Sequence, residues 1–123
     1  MWLELKHKQF PVYEVSKQML ALCYGATKFF PKDEKFILTQ QIRRAALSAF
    51  LNLAEGFSRN SLLERKRFYE ISRSSIVEVE AAFEAAIYLG YCDKNDLFEL
   101  GETVKLFFKQ ISALMNSMDR LHK

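Results

Sequence analysis

At 123 residues the chain suits one domain, spanning 1–123, with a self-sufficient core. Its 50% hydrophobic and 27% charged residues exclude a disordered polyelectrolyte. The net charge of +3 is uneven: residues 1–73 hold 13 Lys/Arg against 7 Asp/Glu and residues 74–123 hold 5 against 8, a basic half followed by an acidic one.

Four glycines and two prolines leave few turns, which favours a small number of long helices over a sheet. Residues 1–9 form a partly basic lead-in whose Trp2, Leu3 and Leu5 can pack back on the body. Pro11 suits a first helical turn. From there Val12, Val15, Met19, Leu22, Cys23, Ala26, Phe29 and Phe30 recur at helical spacing up to Pro31, which predicts the first helix. Lys32 to Lys35 make a charged linker with room for one turn of helix.

The second helix is predicted from Leu38, with Ile42, Ala45, Ala46, Ala49, Leu53 and Phe57 on one face. Leu47, Phe50, Leu51 and Ala54 carry apolar surface further round, leaving a narrow polar stripe of Gln41, Arg44, Ser48, Asn52 and Glu55. An arc about twice the usual ~100° implies burial on two sides, once in the core and once against something else. Gly56 is read as the approach to the helix end. Ser61 followed by Glu64 has capping-box spacing and starts the third helix. Its face comprises Phe68, Ser72, Ser75, Val79, Ala82, Phe83 and Ala86, with Tyr69, Ile76 and Ile87 at the edge. Gly90 is its expected left-handed terminator. Asp93 or Asn95 caps the fourth helix, whose stripe runs Leu97, Leu100, Val104, Phe107, Phe108, Ile111, Leu114, Met115, Met118 and Leu121. Four amphipathic helices with short connections predict an all-α, antiparallel up-down-up-down four-helix bundle.

The chemistry on this frame is mostly charge. No apolar run reaches the ~18–20 residues of a membrane span and the N-terminus lacks a signal-peptide layout, so a cytoplasmic protein with no membrane partner is expected. Cys23 and Cys92 are too scattered for a disulfide framework, and His7 and His122 are isolated near the ends, so no metal site or cofactor is expected. No nucleophile–base pair, glycine-rich phosphate loop or small-molecule site stands out, and no catalytic residue is assigned. The sharpest candidate is a basic cluster around the turn between the second and third helices: Arg43, Arg44, Arg59, Arg65, Lys66, Arg67 and Arg73. Clustered cations suit phosphate, and the arginine fork adds bidentate contacts. The competing reading is a solvated surface with Lys66–Glu70 and Glu70–Arg73 pairs at helical spacing. Removing Arg65, Lys66 and Arg67 together is expected to spare the helices. Glu55, near a helix C-terminus where the macrodipole disfavours an anion, is expected to pair with Arg59 or an arginine of the third helix.

These residues carry a resemblance. Phe30-Pro31-Lys32-Asp33-Glu34, Leu38-Thr39-Gln40-Gln41-Ile42-Arg43-Arg44-Ala45, Asn52-Leu53-Ala54-Glu55-Gly56-Phe57 and Arg67-Phe68-Tyr69-Glu70-Ile71-Ser72 resemble the four helix bundle protein family, also called 23S ribosomal RNA intervening-sequence proteins. Members usually have Ser-Ile-Pro where this chain has Ser48-Ala49-Phe50-Leu51, which implies a straighter second helix here. The resemblance implies an antiparallel bundle, assembly as a homopentamer and no enzymatic activity, with Asn52, Glu55 and Gly56 as a structural motif. A related branch is similar to accessory proteins of diversity-generating retroelements, which work with nucleic acid. RNA or DNA is therefore one expected partner, and the alternative is a protein-interaction scaffold with none.

Overall fold

The computed structural model describes residue 3 and residues 5–122, except the side chains of residues 121 and 122. The expected contacts of Trp2 and of the Leu121 side chain lie outside the described residues. Four helices account for most of the chain: α1 (Pro11–Thr27), α2 (Leu38–Ser58), α3 (Leu62–Tyr88) and α4 (Phe98–His122). The linker expected to hold one turn does so at Lys32–Glu34, and similar 3-10 turns form at Lys6–Gln9 and Lys94–Leu97. No strand occurs among the described residues.

Interhelix pairs fix the directions. Between α1 and α2, Tyr13 meets Phe50 while Thr27 meets Arg43. From α2 to α3, Gln41 bonds Glu78, Ser48 bonds Ser75 and Gly56 faces Tyr69. From α3 to α4, Lys66 meets Asp119 and Arg73 meets Ser112. In each pair the residue number falls on one helix as it rises on the other, so neighbours are antiparallel. Contact of α1 with α4 closes the bundle.

The predicted stripes converge on one core, with Met19, Cys23, Ile42, Leu53, Ile76, Val79, Phe107 and Ile111 at its centre. Burying each large aliphatic chain there stabilises the fold by roughly 1.5–3 kcal/mol. Between α2 and α3 part of the filling is small: Ala45 and Ala49 of α2 and Ser72 and Ser75 of α3 are all buried. The Ser72 hydroxyl donates to the Ala49 carbonyl at 2.6 Å, and the Ser75 hydroxyl to Ser48 Oγ at 2.9 Å. Buried hydroxyls without such partners would destabilise the core.

Local chemistry sets the boundaries. Ser61 Oγ accepts the Glu64 amide at 3.1 Å and starts α3. Gly90, with φ of 81°, follows its end in the left-handed region. Asp93 accepts the Asn95 amide at 3.0 Å and so caps the Lys94–Leu97 3-10 turn that leads into α4, not α4 itself. Gly56 stands near the end of α2, as expected, with Ser58 the last helical residue before Arg59 turns extended. Other expectations change: Tyr69 and Ile76, expected at the edge of the α3 stripe, are among its most buried side chains. Phe29 does not join the core and is 85% exposed. The α1 stripe ends at Thr27, the chain tightens into short-range turns, and extended Pro31 follows. Only Phe30 turns inward, its ring 6.1 Å from that of Phe83.

Candidate interaction surfaces

The seven bases are engaged in different ways. Arg43 reaches across to α1, where Nε donates to Thr27 Oγ1 at 2.8 Å, Nη2 donates to the Tyr24 carbonyl at 3.4 Å, and the guanidinium lies 4.8 Å from the Tyr24 ring centroid. Arg73 reaches the other way, donating to Ser112 Oγ at 3.2 Å beside Phe108. Lys66 pairs with Asp119 of α4 instead of the Glu70 expected from spacing. The hydrogen bond to Asp119 is the main cause holding its ammonium above the ordinary lysine range. Arg59 pairs with Glu55, as expected, and stacks 4.8 Å from the Phe68 ring centroid. Its carbonyl accepts a 2.5 Å bond from Arg65 Nε, which ties the α2–α3 turn to the start of α3. Arg44 and Arg67 are exposed, and their side chains make no intramolecular hydrogen bond or ion pair among the described residues.

Asn52, Glu55 and Gly56 all brace the end of α2. Asn52 Nδ2 donates to the Ser48 carbonyl at 2.8 Å and to Ser48 Oγ at 3.1 Å. Glu55 is occupied by Arg59. A Cβ on Gly56 would lie 2.5 Å from Tyr69 Cε1, closer than carbon atoms pack, so glycine lets that ring rest on the α2 backbone. Around it Phe10 and His7 each stack on Phe57, which is also edge-on to Tyr69 at 5.6 Å. Burial pushes the Tyr69 phenol up to about 12, with Arg65 opposing.

The thiols are not activated. Burial pushes Cys23 up to about 12, and burial, then Asp96 and Asp93, raise Cys92. A reactive thiol needs the opposite shift. Among the described residues no three His, Cys, Asp or Glu gather as a metal cluster, and no helix is long and apolar enough to cross a membrane.

Two further surfaces are apolar. On the outward face of α2, Leu47 and Leu51 are 39% and 52% exposed, on the side of the wide arc that the core leaves bare. At the end opposite the α2–α3 turn, Phe36, Ile37, Tyr88, Leu89 and Phe98 join Phe29 in solvent. Near it two hollows flank the start of α4. One, of about 490 Å³, runs between α1 and α4 past Leu22, Gly25, Phe29 and Tyr91. The other, of about 440 Å³, runs between α3 and α4 past Phe83, Ile87, Gly101 and Val104. Reading the stripes alone missed both. The available signal was Gly25 and Gly101, which stand inside helices with no turn to explain them.

No curated protein matches this sequence. The fold is similar to a crystal structure from Bacteroides thetaiotaomicron, described as a protein of unknown function from the S23 ribosomal protein family. The match has a TM-score of 0.78 and 19% identity, and it covers 85% of this chain and 97% of that one. Neither that description nor the matching family model names an enzymatic activity. The model of the 23S rRNA-intervening sequence protein family matches residues 8–113; with its helices, core and braced α2–α3 turn, this chain belongs to that family.

Proposed function

We propose that this protein is a non-enzymatic, cytoplasmic scaffold that works by self-association through the outer face of α2. The carrying observation is the exposure of Leu47 and Leu51 on a helix whose opposite face already fills the core. An apolar arc left in solvent next to a complete core is the usual mark of a contact surface. The family resemblance gives five copies as the expected number, and a dimer is the commonest alternative. Light scattering on the purified chain should return a defined multiple of 14.4 kDa. A monomer at micromolar concentration rejects the reading. The non-enzymatic part is supported by two raised thiols and by a Glu55 already committed to Arg59. Any turnover lost on Glu55→Gln with the fold intact rejects that part.

One observation favours nucleic acid as the partner of such a scaffold: Arg44 and Arg67 are exposed bases without an intramolecular partner among the described residues. The half of the chain that holds them is the basic half. Repetition in an oligomer would join weak sites into one multivalent site. Affinity for an RNA hairpin and for a DNA duplex should then fall steeply with salt and depend little on sequence. The suitable variant is Arg67→Ala at unchanged oligomer mass, since Arg65 and Lys66 support the fold and Arg44 lies along the self-associating face of α2. If it binds as wild type does, or wild type does not bind at low salt, the scaffold has no nucleic-acid contact here.

A further inference from the structure

Of the four glycines, Gly56 is required by Tyr69 and Gly90 by its positive φ. Gly25 and Gly101 have no such reason, because a Cβ at either would meet nothing within 4 Å. Glycine inside a helix costs up to about 1 kcal/mol relative to alanine, and the chain's own packing gains nothing from it at these two positions. Bare backbone of this kind suits close approach by another molecule. Gly101 lies in the α3–α4 groove, with Phe83, Ile87, Leu100 and Val104 as its apolar lining. The rims are charged, with Glu80 and Glu84 from α3 on one side and Lys94 and Lys105 on the other.

The matching shape is on a different side of the same chain. Along the exposed face of α2, Arg44, Leu47, Leu51 and Glu55 follow at intervals of three and four residues, so they form a straight ridge. It offers a cation, two leucines and an anion to a groove that offers anions, an apolar floor and cations. We infer that the α2 ridge of one copy seats in the α3–α4 groove of the next, with Leu47 and Leu51 over Gly101 and with Arg44 toward Glu80 and Glu84. This rests on the self-association reading and gives it a geometry. Repeated in one direction the contact is heterologous and runs head to tail into a ring or a fibre, whereas a wild-type mass of two chains would mean that each ridge seats in the other copy's groove.

The test is multi-angle light scattering on the purified full chain at 100 µM, a concentration on the order of that needed to populate a micromolar contact. Gly101→Leu fills the groove and Leu51→Glu spoils the ridge. A Cβ at Gly101 meets nothing within 4 Å and Leu51 is 52% exposed, so circular dichroism should match wild type and each variant should still unfold cooperatively in urea. Each variant alone should fall to the monomer mass. An equimolar mixture should give a heterodimer and nothing larger, because one partner keeps a sound ridge and the other a sound groove. Charge reversal is the second arm and does not depend on filling the groove. Arg44→Glu, and separately Glu80→Arg/Glu84→Arg, should each weaken assembly at least tenfold, and the triple variant should restore it. An oligomeric wild type whose Gly101→Leu variant keeps the same mass overturns the inference and leaves self-association standing. Two monomeric variants that stay monomeric when mixed overturn it as well. A monomeric wild type overturns both.

Discussion

At the scale of single residues, Gly56 shows how far a motif can be understood without catalysis. Gly56→Ala improves helix propensity by up to about 1 kcal/mol but drives a Cβ to 2.5 Å from the Tyr69 ring. That ring is buried and backed by Phe57, so it cannot swing away. Overpacking of this kind costs about 1–3 kcal/mol and outweighs the propensity gain. We expect net destabilisation of about 1–2 kcal/mol by urea titration, partly recovered when Tyr69→Leu is added. The same neighbourhood sets the response to alkali. Tyr69 moves from 10.0 to about 12 and Cys23 from 9.0 to about 12 on folding. A group whose folded value is raised contributes stability below its unfolded value and loses it as pH rises toward the folded one. Stability should therefore be flat through neutral pH and fall from about pH 9 to 12, with a shallower fall in Cys23→Ala. A pH series of urea midpoints checks this.

At the scale of elements, Arg43 separates structural cations from free ones. Arg43→Met keeps the aliphatic stem but loses the bonds to Thr27 and Tyr24 and the ring contact. Because the group is partly exposed, the expected cost is about 1–2 kcal/mol. Arg67→Ala should stay within about 0.5 kcal/mol, and equal effects from the two would refute the distinction. The helices themselves were legible because 3.6-residue periodicity, Ser61, Gly90 and Pro31 all act locally. The partners of the bases were not, because spacing along one helix cannot rank a neighbour four residues away against one on another helix. Lys66 chose Asp119 for that reason, so removing Arg65, Lys66 and Arg67 together should disturb the α3–α4 contact instead of sparing it. The reason for a glycine at position 56 was hidden in the same way, since it is Tyr69, thirteen residues on. Phe29 fits the α1 stripe in sequence but stands past the point where Thr27 folds its hydroxyl back on the Cys23 carbonyl at 2.8 Å.

For the whole molecule, the bundle follows from pattern and short connections, while the surfaces that distinguish one bundle from another do not. Exposed Leu47 and Leu51 were legible as an arc too wide for one core, and the hollows beside Gly25 and Gly101 needed the third dimension. If the α2 face drives assembly, folding and association are linked. The thermal midpoint should then rise with protein concentration, and in Leu47→Ser it should not. Differential scanning at two concentrations a hundredfold apart decides it.

The α2–α3 seam has one more consequence. A contact of alanines and serines is smooth, and smooth helices can slide. Here sliding is opposed at three heights by features that agree only once: the Ser75–Ser48 bond, the Ser72–Ala49 bond and the ring of Tyr69 on Gly56. A shift of one helical turn, about 5.4 Å, would break both bonds and push the ring onto a residue that has a side chain. The seam works as a vernier, whose marks coincide at a single setting. Misaligned hairpins formed early in folding should be unstable and short-lived, and slow, heterogeneous refolding should appear only when two of the three marks are erased together.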